Sequence, residues 1–137
     1  MAVLVDANVL LDILTADPQW LAWSAAELGK ARAAGPVIVN PIICAEIAPA
    51  FDFDWRRLEQ WLLPSSFVQE GLPFPASVLA AAGHAEYRRR GGKRETPLPD
   101  FFIGAHAEFA DHALLTRDVG RYRTYFPKVT LIAPPSS

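Results

Sequence analysis

Residues 3–12 read Val3-Leu4-Val5-Asp6-Ala7-Asn8-Val9-Leu10-Leu11-Asp12. Three aliphatic residues stand together with no polar alternation, the pattern of a strand buried on both faces of a parallel sheet. The acid follows at once. Asp6 therefore falls at the carboxyl end of a strand, where open parallel α/β sheets bind their ligands. Asp6 equally suits the N-cap of the helix predicted for Asn8 to Leu14.

Four more apolar runs share this character: Val37 to Val39, Phe67 to Val68, Ala113 to Leu115 and Val129 to Ile132. Helical patterns separate them. One runs from about Gln19 to Ala34, with Leu21, Ala25 and Leu28 sharing a face and Gly35-Pro36 as the stop. Others are predicted from Pro41 to about Pro49, from Asp54 to Leu63, from Pro75 to Gly91, from Pro99 to Asp111 and from Val119 to Tyr125. Parallel strands need crossovers and a two-sided sheet needs helices on both faces, so the pattern predicts a three-layer α/β fold. Its centre is a mainly parallel five-stranded sheet covered by helices on both faces. A length of 137 residues suits one domain, residues 1–133, with 134–137 as a short tail.

Composition narrows the function. Fifteen acidic against thirteen basic residues give a net charge of −2, which excludes gripping nucleic acid by bulk charge alone. The single cysteine, Cys44, makes no internal disulfide and no thiolate metal site by itself, and it reads as a small buried hydrophobe. No apolar run has the length of a membrane span and no leader pattern follows Met1, so the expected location is cytoplasmic.

Four acids fall at the same end of the predicted sheet. Asp6 follows the first strand, Asp118 lies three residues after Leu115, Glu46 is on the helix entered from Val39-Asn40, and Asp100 is in the first turn of the helix entered through Pro99. Carboxylates crowded at an apolar strand end raise one another's pKa values unless a cation neutralises them. An oxygen-only set, with no His or Cys at hand, suits a hard ion such as Mg²⁺ or Mn²⁺. Two such ions about 3.5–4 Å apart activate a water and stabilise the leaving oxygen of a phosphodiester. The placement therefore points to a metal-dependent nuclease.

Each acid also has a structural explanation when taken alone. Asp6 and Asp118 suit helix caps, and Asp100 suits the positive end of its helix dipole. No capping argument covers Glu46, which interrupts an apolar stripe of Ile42, Ile43 and Pro49. Gly104, one turn from Asp100, is expected to leave room for a metal or phosphate. Arg88, Arg89, Arg90, Lys93 and Arg94 form a candidate RNA-binding cluster, though cations near a helix C-terminus are also expected from the dipole. His84, His106 and His112 have no metal-ligand spacing, which assigns them core or surface roles. Asp12 reads as solvated or helix-stabilising, Arg117 as the local ion-pair partner of Asp118. The stretch with Phe51, Phe53, Trp55 and Trp61 is unusually aromatic, and some Trp residues are expected to line a partner surface.

Val3-Leu4-Val5-Asp6-Ala7-Asn8, Glu46 after Asn40, Pro99-Asp100-Phe101-Phe102-Ile103-Gly104-Ala105-His106-Ala107 and Leu115-Thr116-Arg117-Asp118, in that order, resemble the PIN-domain family. Within it the chain is similar to the VapC-type toxin ribonucleases, over almost its whole length. The resemblance implies an RNA endonuclease using Mg²⁺ or Mn²⁺ held by Asp6, Glu46, Asp100 and Asp118, with Asn8 and Thr116 as polar supports. It also implies a VapB-type antitoxin partner, a homodimer of the toxin, and tRNA or rRNA as substrate. Two other functions fit the acids alone. One is a binding module whose acid pocket receives a partner's Arg. The other is an aspartyl-phosphate phosphatase at Asp6, which lacks its usual second acid, since Asn8 stands two residues on, and its lysine.

Overall fold

The structure, a computed structural model, describes residues 1–64, 66–92 and 98–135. Five strands, β1 (Val3–Val5), β2 (Val37–Val39), β3 (Phe67–Gln69), β4 (Ala113–Leu115) and β5 (Leu131–Ile132), form one sheet in the order β3-β2-β1-β4-β5. All four pairings are parallel. The helices are α1 (Ala7–Leu14), α2 (Leu21–Ala34), α3 (Pro41–Ile47), α4 (Trp55–Leu62), α5 (Phe74–Arg89), α6 (Leu98–Ala110) and α7 (Gly120–Tyr125). A 3₁₀ turn at Ala48–Phe51 follows α3, because Pro49 has no N–H to continue the ladder.

The strand order dictates where a site forms. From β1 the chain moves one way to β2 and β3, then crosses back over to β4 and β5 on the far side of β1. The right-handed rule for parallel crossovers assigns α1–α4 to one face and α5–α7 to the other. α1 accordingly packs on α2 and α3, and α6 packs on α5 and α7. The order reverses between β1 and β4, the point at which open parallel sheets bind ligands at their carboxyl ends. The inner strands β1, β2 and β4 are buried throughout, whereas β3 is mostly exposed and β5 half-buried, as edge strands are. No helix among the described residues is long and apolar enough to cross a membrane.

Two packing expectations, for α2 and Gly104, are corrected, and the aromatic stretch is resolved residue by residue. The buried face of α2 is Ser24, Leu28 and Ala31 rather than Leu21, Ala25 and Leu28. Ser24 turns inward because its hydroxyl donates to the buried Asp12 carboxylate at 2.7 Å. The aromatic stretch divides: Phe51 and Trp61 join the core against Phe67, while Phe53 and Trp55 stay exposed beside a groove of about 440 Å³ that Pro41, Leu58 and Leu62 also line. Gly104 makes no room for a metal. Its open side is filled by the Phe126 ring, 2.4 Å from where a Cβ would stand.

Gly104→Ala sets a helix gain of about 1 kcal/mol against an overpacking cost of about 1–3 kcal/mol, because Phe126 is buried and has no free end to withdraw. The expected result is net destabilisation, read as a lower urea midpoint. A variant as stable as wild type means that Phe126 repacks freely.

Candidate functional site

Asp6 leaves β1 in an extended conformation and caps α1, its Oδ1 accepting the Ala7 N–H at 2.8 Å. It does more than cap. Its Oδ2 accepts the Thr116 hydroxyl at 2.8 Å and the Tyr122 hydroxyl at 3.0 Å, and Asn8 Nδ2 lies 3.5 Å away. Thr116 in turn accepts from the Asp118 N–H at 3.1 Å, and Asn8 Oδ1 accepts from the Arg117 N–H at 3.3 Å. Asn8 and Thr116 thus hold the Asp6 carboxylate and the loop after β4 in one network.

Burial sets the charge state of these acids. Burial is the main reason that the Asp6 carboxyl is raised to about 6, with Asp100 adding to it and the Thr116 and Tyr122 hydroxyls and the Ala7 N–H pulling it back. Glu46 on α3 is raised to about 7, first by burial, then by Asp6 and Asp100. Its Oε1 is buried and has no hydrogen-bond partner among the described residues. Asp100 in the first turn of α6 is also raised by burial and by Asp118, against the pull of Arg121, with which it forms an ion pair. The Tyr122 phenol is pushed well above its usual value by burial and by the three acids around it. Asp6, Glu46 and Asp100 therefore lie in one another's field. Asp118 stands exposed at the rim and is felt by Asp100.

An orphaned buried carboxylate oxygen among raised acids is the environment that a hard cation relieves. Carboxylate oxygens are the donor type such an ion takes, although no three of these four acids offer oxygens within 4.8 Å of one another in this structure.

Sequence reading did not single out Arg121 and Tyr122. Their only signal is adjacency to Asp118, and which way they face depends on how α7 docks. Asp12 is corrected. It is buried, and Arg117 grips both its oxygens, Nε to Oδ2 at 2.7 Å and Nη2 to Oδ1 at 2.9 Å, instead of pairing with Asp118. The Arg117 guanidinium also lies 5.1 Å from the Trp20 ring centroid. In the basic cluster Arg88, Arg89 and Arg90 are all exposed, but Arg89 and Arg90 both pair with Glu86. Lys93 and Arg94 lie outside the described residues. The histidine expectation is revised as well, because His106 and His112 meet at Glu70.

Neither a family model nor a curated protein matches the chain. Solved structures do. A chain of VapBC2 from Rickettsia felis, bound to a DNA fragment of its promoter, matches at 15% identity over 98% of this chain and 100% of that one, with a TM-score of 0.72. FitAcB from Neisseria gonorrhoeae matches at 22% identity over 94% and 95% of the two chains, TM-score 0.66. VapBC-1 from nontypeable Haemophilus influenzae matches at 13% over 97% and 98%, TM-score 0.70. The fold is therefore the PIN-like α/β fold found in these complexes, as the motif resemblance implied.

The raised acids give a signed pH prediction. Glu46 ionises near 4.5 when unfolded and near 7 when folded, so the unfolded chain sheds this proton first and stability falls as pH rises through that window. Glu46→Gln removes the penalty. The metal-free variant should exceed wild type at pH 8 by on the order of 1–2 kcal/mol, after discounting for partial exposure, and by little at pH 5. Equal stability at both pH values means that Glu46 is not strained by its neighbours.

Proposed function

We propose that this chain is a divalent-metal-dependent endoribonuclease, the toxin of a toxin–antitoxin pair, with Asp6, Glu46, Asp100 and Asp118 as its acid set. The observation that carries this reading is the buried Glu46 oxygen, without a hydrogen-bond partner among the described residues, in the field of Asp6 and Asp100. Charge held unpaired at a topological switch point is a costly arrangement with no structural use, and raised acids at such a point mark functional sites.

Asp6, Asp100 and Asp118 would hold Mg²⁺ or Mn²⁺, with Glu46 at its edge. A bound ion would supply Lewis acidity toward a phosphodiester and its attacking water. Glu46, raised to about 7, is suited to take the proton of that water at neutral pH. In-line attack on phosphorus then releases a 3′-hydroxyl and a 5′-phosphate. Because the ribose 2′-OH is not the nucleophile, preference for RNA over DNA rests on contacts and shape. The Thr116, Tyr122 and Asn8 donors fix the orientation of Asp6 before substrate arrives. Arg88, Arg89, Arg90, Lys93 and Arg94, just upstream of Asp100, are assigned to RNA phosphates. The partner is a small antitoxin of the VapB kind, in keeping with the VapBC and FitAB complexes that share this fold. The toxin pairs with a second copy of itself.

Cleavage of tRNA and rRNA by the purified chain tests the proposal. EDTA should abolish it and Mn²⁺ restore it, while Asp6→Asn and Asp100→Asn should each slow it by about 10²-fold or more with the circular dichroism unchanged. Wild-type rates with unaltered metal dependence in both variants would overturn the assignment.

A further inference from the structure

A second cluster uses none of the four acids. Glu70 lies just after β3, His106 on the buried face of α6, and His112 two residues beyond that helix. Glu70 Oε1 is 2.7 Å from His106 Nε2 and 2.8 Å from His112 Nε2, and the three ligand atoms lie within 4.8 Å of one another. The left-handed residue Asp111, with φ 57°, lets the His112 N–H bond the Ala107 carbonyl at 2.9 Å. That reversal brings together two histidines that no single helix face would join.

We infer that Glu70, His106 and His112 form a second metal site, for a borderline transition ion such as Zn²⁺. Two imidazole nitrogens and one carboxylate oxygen are the three-ligand set that such ions take, with a fourth position left for water or another ligand. Mg²⁺ prefers all-oxygen ligands, so the two sites differ in chemistry. His106 is fully buried and His112 nearly so, while the Glu70 side chain is 36% exposed. Glu70 also borders a groove of about 450 Å³ shared with Asn40, Cys44 and Gly71, which gives an ion a way in. Burial holds His106 in its neutral form, the form that ligates.

Asn40 decides how strongly the site binds. Its Oδ1 caps α3 by accepting the Ile43 N–H at 2.9 Å, so its Nδ2 faces His106 Nδ1, also at 2.9 Å. An amide N–H there can only donate. In the metal-free protein the His106 proton therefore sits on Nε2, directed at Glu70. Ligation through Nε2 moves that one ring proton to Nδ1, where it needs an acceptor. Asn40 must then turn its amide oxygen to His106 and release the cap of α3. Aspartate caps a helix as well as asparagine does, and its second oxygen would accept the Nδ1 proton outright.

The whole chain, stripped of metal and held in excess Mg²⁺ to occupy the acid site, is titrated with Co²⁺ and followed by visible d–d absorption. Wild type should give a low-coordinate spectrum that one equivalent of Zn²⁺ abolishes. Glu70→Gln and His112→Asn should each weaken Co²⁺ binding by at least about tenfold, Asp100→Asn should leave it in place, and Asn40→Asp should tighten it by about 10–100-fold. A wild type without the spectrum overturns the site, as does a spectrum lost in Asp100→Asn but kept in Glu70→Gln. An Asn40→Asp variant that binds no tighter overturns the tautomer argument and the role given to Asn40.

Discussion

Burying one carboxylate beside the middle strand of a sheet organises this end of the molecule. Asp6 sits where the strand order reverses, and an ion there loses several kcal/mol of hydration unless donors replace the water. Those donors come from three places: the first N–H of α1, the hydroxyl after β4 and the phenol on α7. Each contributor is thereby fixed in position relative to β1. The register of β1 against β4, Val5 opposite Leu115, brings Asp6 and Thr116 side by side.

Those donors satisfy Asp6 but leave its neighbours in tension. Glu46 has a buried oxygen with no donor among the described residues, and Asp100 stays raised despite its ion pair with Arg121. A structure selected for stability alone would place an amide or an apolar group at position 46. Under the proposed function a bound cation relieves that strain. Arg121 is the built-in cation nearest to this role, and its guanidinium holds Asp100 while the Asp100 carboxyl is still raised.

The strands were legible because inner parallel strands need uninterrupted apolar residues, and Val3–Val5, Val37–Val39 and Ala113–Leu115 supply them. Helix ends were legible within a residue or two from Pro and Gly. Asp6 and Asp100 were legible as acids at a strand end and a helix start, and Glu46 as a charge interrupting the apolar stripe of α3. What escaped depends on pairs far apart in the chain. Arg117 meets Asp12 across 105 residues, and Glu70 meets His106 and His112 across 36 and 42. Local spacing carries no trace of such contacts. Gly104 misled for a related reason, because the space it opens is shaped by Phe126, a residue two elements away. Ser24 misled because a polar residue faces inward only when its partner is already buried there.

The Asp12–Arg117 pair links α1 to the loop that presents Thr116 and Asp118, with Ser24 of neighbouring α2 and Trp20 just before it closing around the pair. Removing Arg117 strands the buried Asp12 charge at a cost of about 3–5 kcal/mol, whereas replacing both together with well-packed apolar groups is tolerated. Positions 12 and 117 are therefore energetically coupled. Among relatives of this chain the two should change jointly, which makes the pair a marker for aligning sequences too divergent to be matched by identity.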